Sequence, residues 1–191
     1  MTGRGGLTWL VVAGLSAMSL AFGNFMGLVQ TSFQRLLAYS TISHVGFLLL
    51  GFVGGGVGGY AAAMFYAISY SIMAVAAFGS LILLSRAGFE ADDIDGFRGL
   101  WSKSPGYAFL ILFVIASLAG IPPFLGFFAK LQVIQAALVG GYQWLAILAV
   151  VSAVIGAFYY LKLIRAMFFE KSEAEPAEIN TAARRRFFMM G

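Results

Sequence analysis

The residues best able to do chemistry in this sequence lie in the stretch GIPPFLGFFAKL, residues 120–131. It places two consecutive prolines, Pro122 and Pro123, and a lysine, Lys130, inside a strongly apolar region. A lysine near the middle of a bilayer costs about 2.5–3.5 kcal/mol to insert, so such a residue usually faces a protein interior or a hydrated path. Burial also penalises the charged form of a lysine, which favours proton exchange. We therefore interpret Lys130 as a proton carrier, although a lysine that extends to the membrane surface would need no such role.

The two prolines predict a break in the helix that carries Lys130. Neither Pro122 nor Pro123 has a backbone N–H, and the first of them disfavours a helical conformation at Ile121. Irregular backbone is tolerated at membrane depth only where it is buried in protein or lines a cavity. A simple proline kink would also fit these residues, but broken helices near the midplane are the usual ion sites of secondary transporters. The closeness of Lys130 favours the second interpretation.

A second polar group surrounds the single histidine, His44, in the stretch YSTISHVG. Ser40 lies one helical turn before His44, and Ser43 lies on a neighbouring face of the same helix. Tyr66 and Tyr70, in the next apolar stretch, could extend this stripe of hydroxyl groups. The pattern is typical of a proton relay through a neutral imidazole. The same residues could equally serve only to hold helices together, and the spacing leaves both interpretations open.

Composition places these residues in a membrane protein. Of the 191 residues, 61% are hydrophobic and 10% are charged, whereas soluble domains average about 45–50% and about 25%. The sequence has no cysteine, so we exclude disulfides, iron–sulfur clusters and Cys/His zinc sites within this chain. Its basic residues flank apolar stretches, which indicates topology signals rather than a nucleic-acid-binding face. No nucleophile–base pair, phosphate loop or metal cluster is visible, so we predict no bond-making site, cofactor or metal in this chain.

The apolar stretches predict an all-α polytopic membrane protein with five transmembrane helices. A membrane helix needs about 20 apolar residues, and suitable stretches run at about 7–29, 33–53, 60–85, 105–139 and 142–169. The fourth is too long for one straight crossing, and a discontinuity at Pro122–Pro123 would resolve this. We predict that residues 1–169 form one transmembrane unit. Residues 170–191 then form a polar, basic cytoplasmic tail that could lead into a further helix.

Lysine and arginine are distributed unevenly between the two predicted sides of the membrane. One side has Arg4 and two glycine-rich links without any lysine or arginine. Because basic loops remain cytoplasmic, we predict that the N-terminus is outside and the C-terminus is cytoplasmic. The basic side collects Arg35, Arg86, Arg98, Lys103, Arg165, Lys171 and Arg184–Arg186.

Three stretches of the chain resemble the antiporter-like membrane subunits of respiratory complex I. They are FQRLLAYSTISHVGFLLLG, SLAGIPPFLGFFAKL and AFYYLKLIRAMFF. The resemblance extends over nearly the whole chain, and related cation/proton antiporter subunits have similar IPP and GFFAK-like segments. The family implies a fold of two inverted five-helix repeats, each with one discontinuous helix. This chain resembles the second repeat alone, so the resemblance implies that a first-repeat half exists elsewhere.

The resemblance also implies a function. It implies that Lys130 passes protons toward the external side and that His44 belongs to a central polar axis. The chain would then be a proton-translocating membrane-arm subunit of an enzyme of the bacterial inner (cytoplasmic) membrane, with quinone reduction elsewhere in the complex. NADH, FMN, iron–sulfur clusters and quinone are expected in partner subunits, and the expected partners are other membrane-arm subunits, the first-repeat half and the lipid bilayer, not nucleic acid. The alternatives are a subunit of a multisubunit cation/proton antiporter and a purely structural membrane subunit.

Overall fold

The computed structural model describes residues 4–86 and 93–170. Within these ranges the chain is almost entirely α-helical, and a 3₁₀ turn at Ile94–Phe97 lies between the third and fourth helices. The predicted tail, apart from Glu170, lies outside the described residues. The helices are α1 (Arg4–Leu28), α2 (Phe33–Gly54), α3 (Gly56–Arg86), α4 (Leu100–Lys103), α5 (Pro105–Ala119), α6 (Leu125–Val139) and α7 (Gln143–Phe169).

Four of the described helices, α1, α2, α3 and α7, are long and apolar enough to cross a membrane. The apolar helices α5 and α6 have 15 residues each, which corresponds to about 22 Å at about 1.5 Å per residue. Because a hydrocarbon core is about 30 Å thick, neither of these two helices crosses it alone. The predicted all-α polytopic fold is confirmed, and so is the interruption of the fourth apolar segment. That α5 and α6 together make a fifth crossing stays a prediction.

The link between α2 and α3 is shorter than the sequence suggested. The third span was predicted to begin at about residue 60, whereas α3 begins at Gly56. A single residue, Gly55, therefore separates the two helices, with a φ of +64°. Residues with a side chain rarely adopt that backbone conformation, and glycine does so without steric cost.

Helices α1 and α2 pack closely because glycines leave no side chains between them. A methyl group at Gly23 would lie 2.5 Å from the Ser43 nitrogen, and one at Gly46 would lie 2.8 Å from the Leu20 nitrogen. Small residues at crossings are the usual way for membrane helices to approach one another. The crossing brings Asn24 of α1 within hydrogen-bonding distance of Ser43.

The segment after α3 is polar in composition, but apolar side chains anchor its described part. Ile94, Phe97 and Leu100 are buried. The Ile94 N–H donates to the carbonyl of Thr31 at 2.9 Å. Residues 93–100 therefore pack against the turn between α1 and α2.

Candidate functional site

Lys130 lies on α6 and reaches across the helix break to the end of α5. Its Nζ donates to the carbonyl oxygens of Leu118 at 2.9 Å and Ala119 at 3.0 Å. The residue is 7% exposed, so its ammonium group lies inside the protein. The predicted carrier and the predicted break are thus in direct contact.

The carbonyl groups at the end of α5 explain why a cation fits there. The last four carbonyls of a helix have no partner within the helix, and here they belong to residues 116–119. The N–H of Gly120, whose φ is +80°, donates to Ser117, and the N–H of Ile121 donates to Ala116, both at 3.0 Å. Lys130 supplies the donors for the remaining two carbonyls. The negative end of the helix dipole also favours a positive charge at this position.

The prolines and a glycine determine the shape of the break. Pro122 and Pro123 have no N–H, so they cannot supply the donors that the end of α5 requires. Past the break, α6 starts beside the end of α5, where a methyl group at Gly126 would overlap the carbonyl oxygen of Ser117. The Ser117 hydroxyl contacts the Met73 sulfur of α3 at 2.9 Å. The two half-helices therefore overlap side by side instead of joining end to end.

His44 is 4% exposed and is enclosed by two tyrosines of α3. Its Nδ1 lies 2.6 Å from the Tyr66 hydroxyl oxygen, and its ring stacks on the Tyr70 ring with 4.5 Å between centroids. Either the imidazole or the phenol can donate in the first contact, depending on the histidine tautomer. An imidazole paired with a hydroxyl in this way can accept or release a proton without leaving its position.

Phe47 joins the lysine and the histidine. The Nζ of Lys130 lies 5.3 Å from the centre of the Phe47 ring, a distance typical of a cation–π interaction. The same ring lies 6.4 Å from the His44 ring and 5.9 Å from the Tyr66 ring. The sequence suggested Lys130 and His44 separately, and in the structure both lie next to the Phe47 ring.

The remaining predicted polar residues are buried or half-buried, but they do not form one stripe with His44. The Ser40 hydroxyl pairs with Tyr160 of α7 at 2.5 Å, and the Tyr70 hydroxyl donates to Thr41 at 2.8 Å. Ser43 accepts from the Asn24 amide of α1 at 2.7 Å. The predicted group therefore divides into a part around His44 and a part between α1, α2 and α7.

Sequence reasoning missed Asn24 and the tyrosine pair of α7. The Asn24 amide nitrogen also donates to the Leu20 carbonyl at 2.7 Å, and its oxygen accepts from the Tyr159 hydroxyl at 3.4 Å. Asn24 is 1% exposed, and an amide within an apolar span is itself a signal of a buried partner. Tyr159 and Tyr160 occur within AFYYLK, where the spacing does not show which helix these rings face. Groups of three or more possible metal ligands do not occur in the part of the chain that the structure describes.

Comparisons with known sequences identify a family. The model of the NADH:quinone oxidoreductase/Mrp antiporter transmembrane family matches residues 6–156. The chain is 56% identical over 171 residues to the NADH-quinone oxidoreductase subunit N of Xanthomonas euvesicatoria pv. vesicatoria (strain 85-10), covering 90% of this chain and 35% of that protein. Further relatives of the same description are also about half identical. The chain spans about a third of the length of the curated relatives that it matches.

Solved structures of two kinds of membrane complex contain chains that resemble this one. A chain of respiratory complex I from Thermus thermophilus is 31% identical, with a TM-score of 0.72 over 87% of this chain and 39% of that chain. A chain of the Mrp complex from Dietzia sp. DQ12-45-1b is 28% identical, with a TM-score of 0.78 over 86% of this chain and 30% of that chain.

Proposed function

Since the chain belongs to the NADH:quinone oxidoreductase/Mrp antiporter family of transmembrane proteins, we propose that it is part of a proton-translocating membrane subunit of an NADH–quinone oxidoreductase. Lys130 and His44 would relay the protons. Sequence identity of 56% to a subunit N supports this choice within the family. Because the chain spans about a third of such a subunit, the activity belongs to the larger assembly.

The observation that carries the proposal is the environment of Lys130. Two carbonyls and the Phe47 ring stabilise its ammonium form, whereas burial favours its neutral form. A proton carrier requires that the balance between these opposing effects leave both forms accessible.

His44 and Tyr66 would form the next station of the relay. Among the described residues no hydrogen bond joins Lys130 to His44, and Phe47 contacts both. A proton passing between them therefore needs a water molecule or a movement of the lysine side chain around that ring. A small displacement of α6 relative to α2 would change the distance between Lys130 and His44, and would thereby permit or prevent this transfer.

Redox chemistry would take place outside this chain. NADH, FMN, iron–sulfur clusters and quinone would be held by partner subunits, and the partners would include membrane-arm subunits and a first-repeat half. The chain would have its N-terminus outside and its C-terminus in the cytoplasm. Moving one charge against about 100 mV costs about 2.3 kcal/mol, and the energy released by quinone reduction would drive this movement through the charge states of neighbouring subunits.

The decisive experiment is Lys130→Ala in the assembled complex, with Lys162→Ala as the matched control. Lys162 is exposed near the end of α7, so its loss removes a lysine without affecting the break. We expect Lys130→Ala to lower the number of protons moved per electron, while Lys162→Ala leaves that ratio unchanged. If both variants assemble normally and move the same number of protons per electron, a purely structural role for Lys130 is favoured.

A cation/proton antiporter subunit is the second candidate, because the Mrp complex chain has a similar fold. The two functions differ in their driving reaction. Membrane vesicles that acidify on addition of NADH support the first, whereas proton movement driven by a sodium gradient without NADH supports the second.

A further inference from the structure

A cavity of about 390 Å³ lies beside the helix break and reaches Lys130. Its walls come from residues 119–122 and from the facing sides of α6 and α7. Apart from Lys130, every residue that lines it is a glycine, a proline or a residue with an apolar side chain. The cavity thus combines an apolar wall with one cationic group, which is the usual composition of a site for a small amphiphilic ligand.

The cavity leads from the outside of the helix pair to the buried amine. Leu131, Val150 and Val154 line it and are 39%, 48% and 66% exposed. Lys130, at its inner end, is 7% exposed. The passage between α6 and α7 is therefore open at its outer end in this chain, and its walls there are apolar.

Lys130 lacks a counter-ion in the described part of the chain. The carboxylates of Asp95 and Glu170 pair with Arg98 and Arg165, and the acceptors of Lys130 are neutral carbonyls. An ammonium group has three N–H donors, so one remains after these two bonds. Buried charges are normally paired, and an anion at this position would complete both the charge balance and the hydrogen bonding.

We propose that the cavity binds a single-chain anionic amphiphile, a fatty acid whose carboxylate accepts from Lys130 and whose alkyl chain occupies the apolar passage. The volume is near the lower end of the range of about 300–1,000 Å³ for ligand sites, which suits one alkyl chain better than a diacyl lipid. The functional consequence rests on the proposed proton relay. A carboxylate paired with Lys130 would hold the ammonium form and stop its proton exchange, so the ligand would act as an inhibitor.

Photolabelling in native membranes that contain the assembled complex tests the binding directly. The probe is a straight-chain fatty acid with a diazirine and a terminal alkyne, and the matched control is the corresponding primary alcohol. We expect the acid to label the 143–169 segment about tenfold more than the alcohol, because a charge-assisted hydrogen bond distinguishes the two. Lys130→Met should reduce labelling by the acid to the level of the alcohol.

A second pair of variants keeps Lys130 intact. Ala153→Phe fills the cavity and should reduce labelling by both probes several-fold, whereas Val151→Phe, on the exposed face of α7 and outside the cavity lining, should leave it unchanged. Equal labelling by acid and alcohol, or labelling that Ala153→Phe does not change, would overturn the proposal. Labelling is measured without turnover, so it is independent of proton translocation. The fatty-acid site can be absent while proton stoichiometry still depends on Lys130, and the site can be present while that stoichiometry does not.

Discussion

At the scale of single residues, Lys130 stabilises the helix break and is also the proposed proton carrier. It supplies the donors for the two α5 carbonyls that receive no hydrogen bond from the backbone of the break. A neutral amine can still donate to them but loses the charge assistance that makes such bonds strong. In the proposed relay, release of a proton would therefore weaken the contact across the break and link the charge of Lys130 to the position of α6 relative to α5.

A substitution at Tyr66 tests the proposed proton transfer at the His44–Tyr66 contact. Tyr66→Phe retains the ring that stacks on Phe47 but removes the hydroxyl next to the His44 Nδ1. A typical hydrogen bond contributes about 0.5–1.5 kcal/mol, so we expect NADH-driven proton translocation to slow about twofold to tenfold. Initial rates of vesicle acidification measure this effect, and assembly of the complex should remain normal.

Tyr60→Phe is the matched control, since Tyr60 lies on the same helix, is 43% exposed and contacts Phe52 edge-on. It should leave the rate unchanged. If the two variants translocate protons at the same rate, the Tyr66 hydroxyl has no part in the relay.

The candidate residues differ in how well the sequence predicts them. Lys130 and His44 could be found because a polar side chain in an apolar span is costly and needs a reason. The partners of Ser40 and Ser43 could not, because they depend on which faces of α1 and α7 turn toward α2. Helical spacing places residues on a face but does not say which helix lies opposite it.

At the scale of secondary structure, the break is a junction in which each of the last four carbonyls of α5 has a specific donor. The sequence predicts the interruption, because two prolines cannot continue a helix. It does not predict that α6 starts alongside α5, which depends on the absence of a side chain at Gly126. This overlap is what brings Lys130 back to the carbonyls of the preceding helix.

Gly126→Ala should therefore disturb the break. Its methyl group would overlap the Ser117 carbonyl, which is backbone and cannot rotate away. Overpacking of this kind typically costs about 1–3 kcal/mol, and we expect a lower unfolding temperature of the purified complex together with slower proton translocation. The control is Gly79→Ala in α3, where a methyl group would meet nothing within 4 Å. A Gly126→Ala variant as stable and active as the control would show that the half-helices need no close contact.

At the scale of the whole molecule, the charge pattern and the helix lengths together determine how the chain crosses the membrane. The four long helices are each sufficient for one crossing, but α5 and α6 have to act together. If they cross once in tandem, the segments before α5 and after α6 lie on opposite sides. If instead they enter and leave on the same side, both segments are on one side and the basic end of α7 no longer falls in the cytoplasm. The side on which the end of α7 lies therefore depends on whether α5 and α6 make a crossing.

Single cysteines answer that question, because the chain has none of its own. Each of Thr31, Gly58, Ser102 and Gln143 is exposed in a link or near a helix end, so replacement by cysteine disturbs little. In intact cells with a permeable outer membrane, we expect a membrane-impermeant maleimide to label Gly58→Cys and Gln143→Cys. Thr31→Cys and Ser102→Cys should react only after the inner membrane is opened, because positively charged links remain cytoplasmic. Labelling of Ser102→Cys and Gln143→Cys from the same side would contradict a fifth crossing, and it would place Lys130 in a re-entrant segment instead of a transmembrane one.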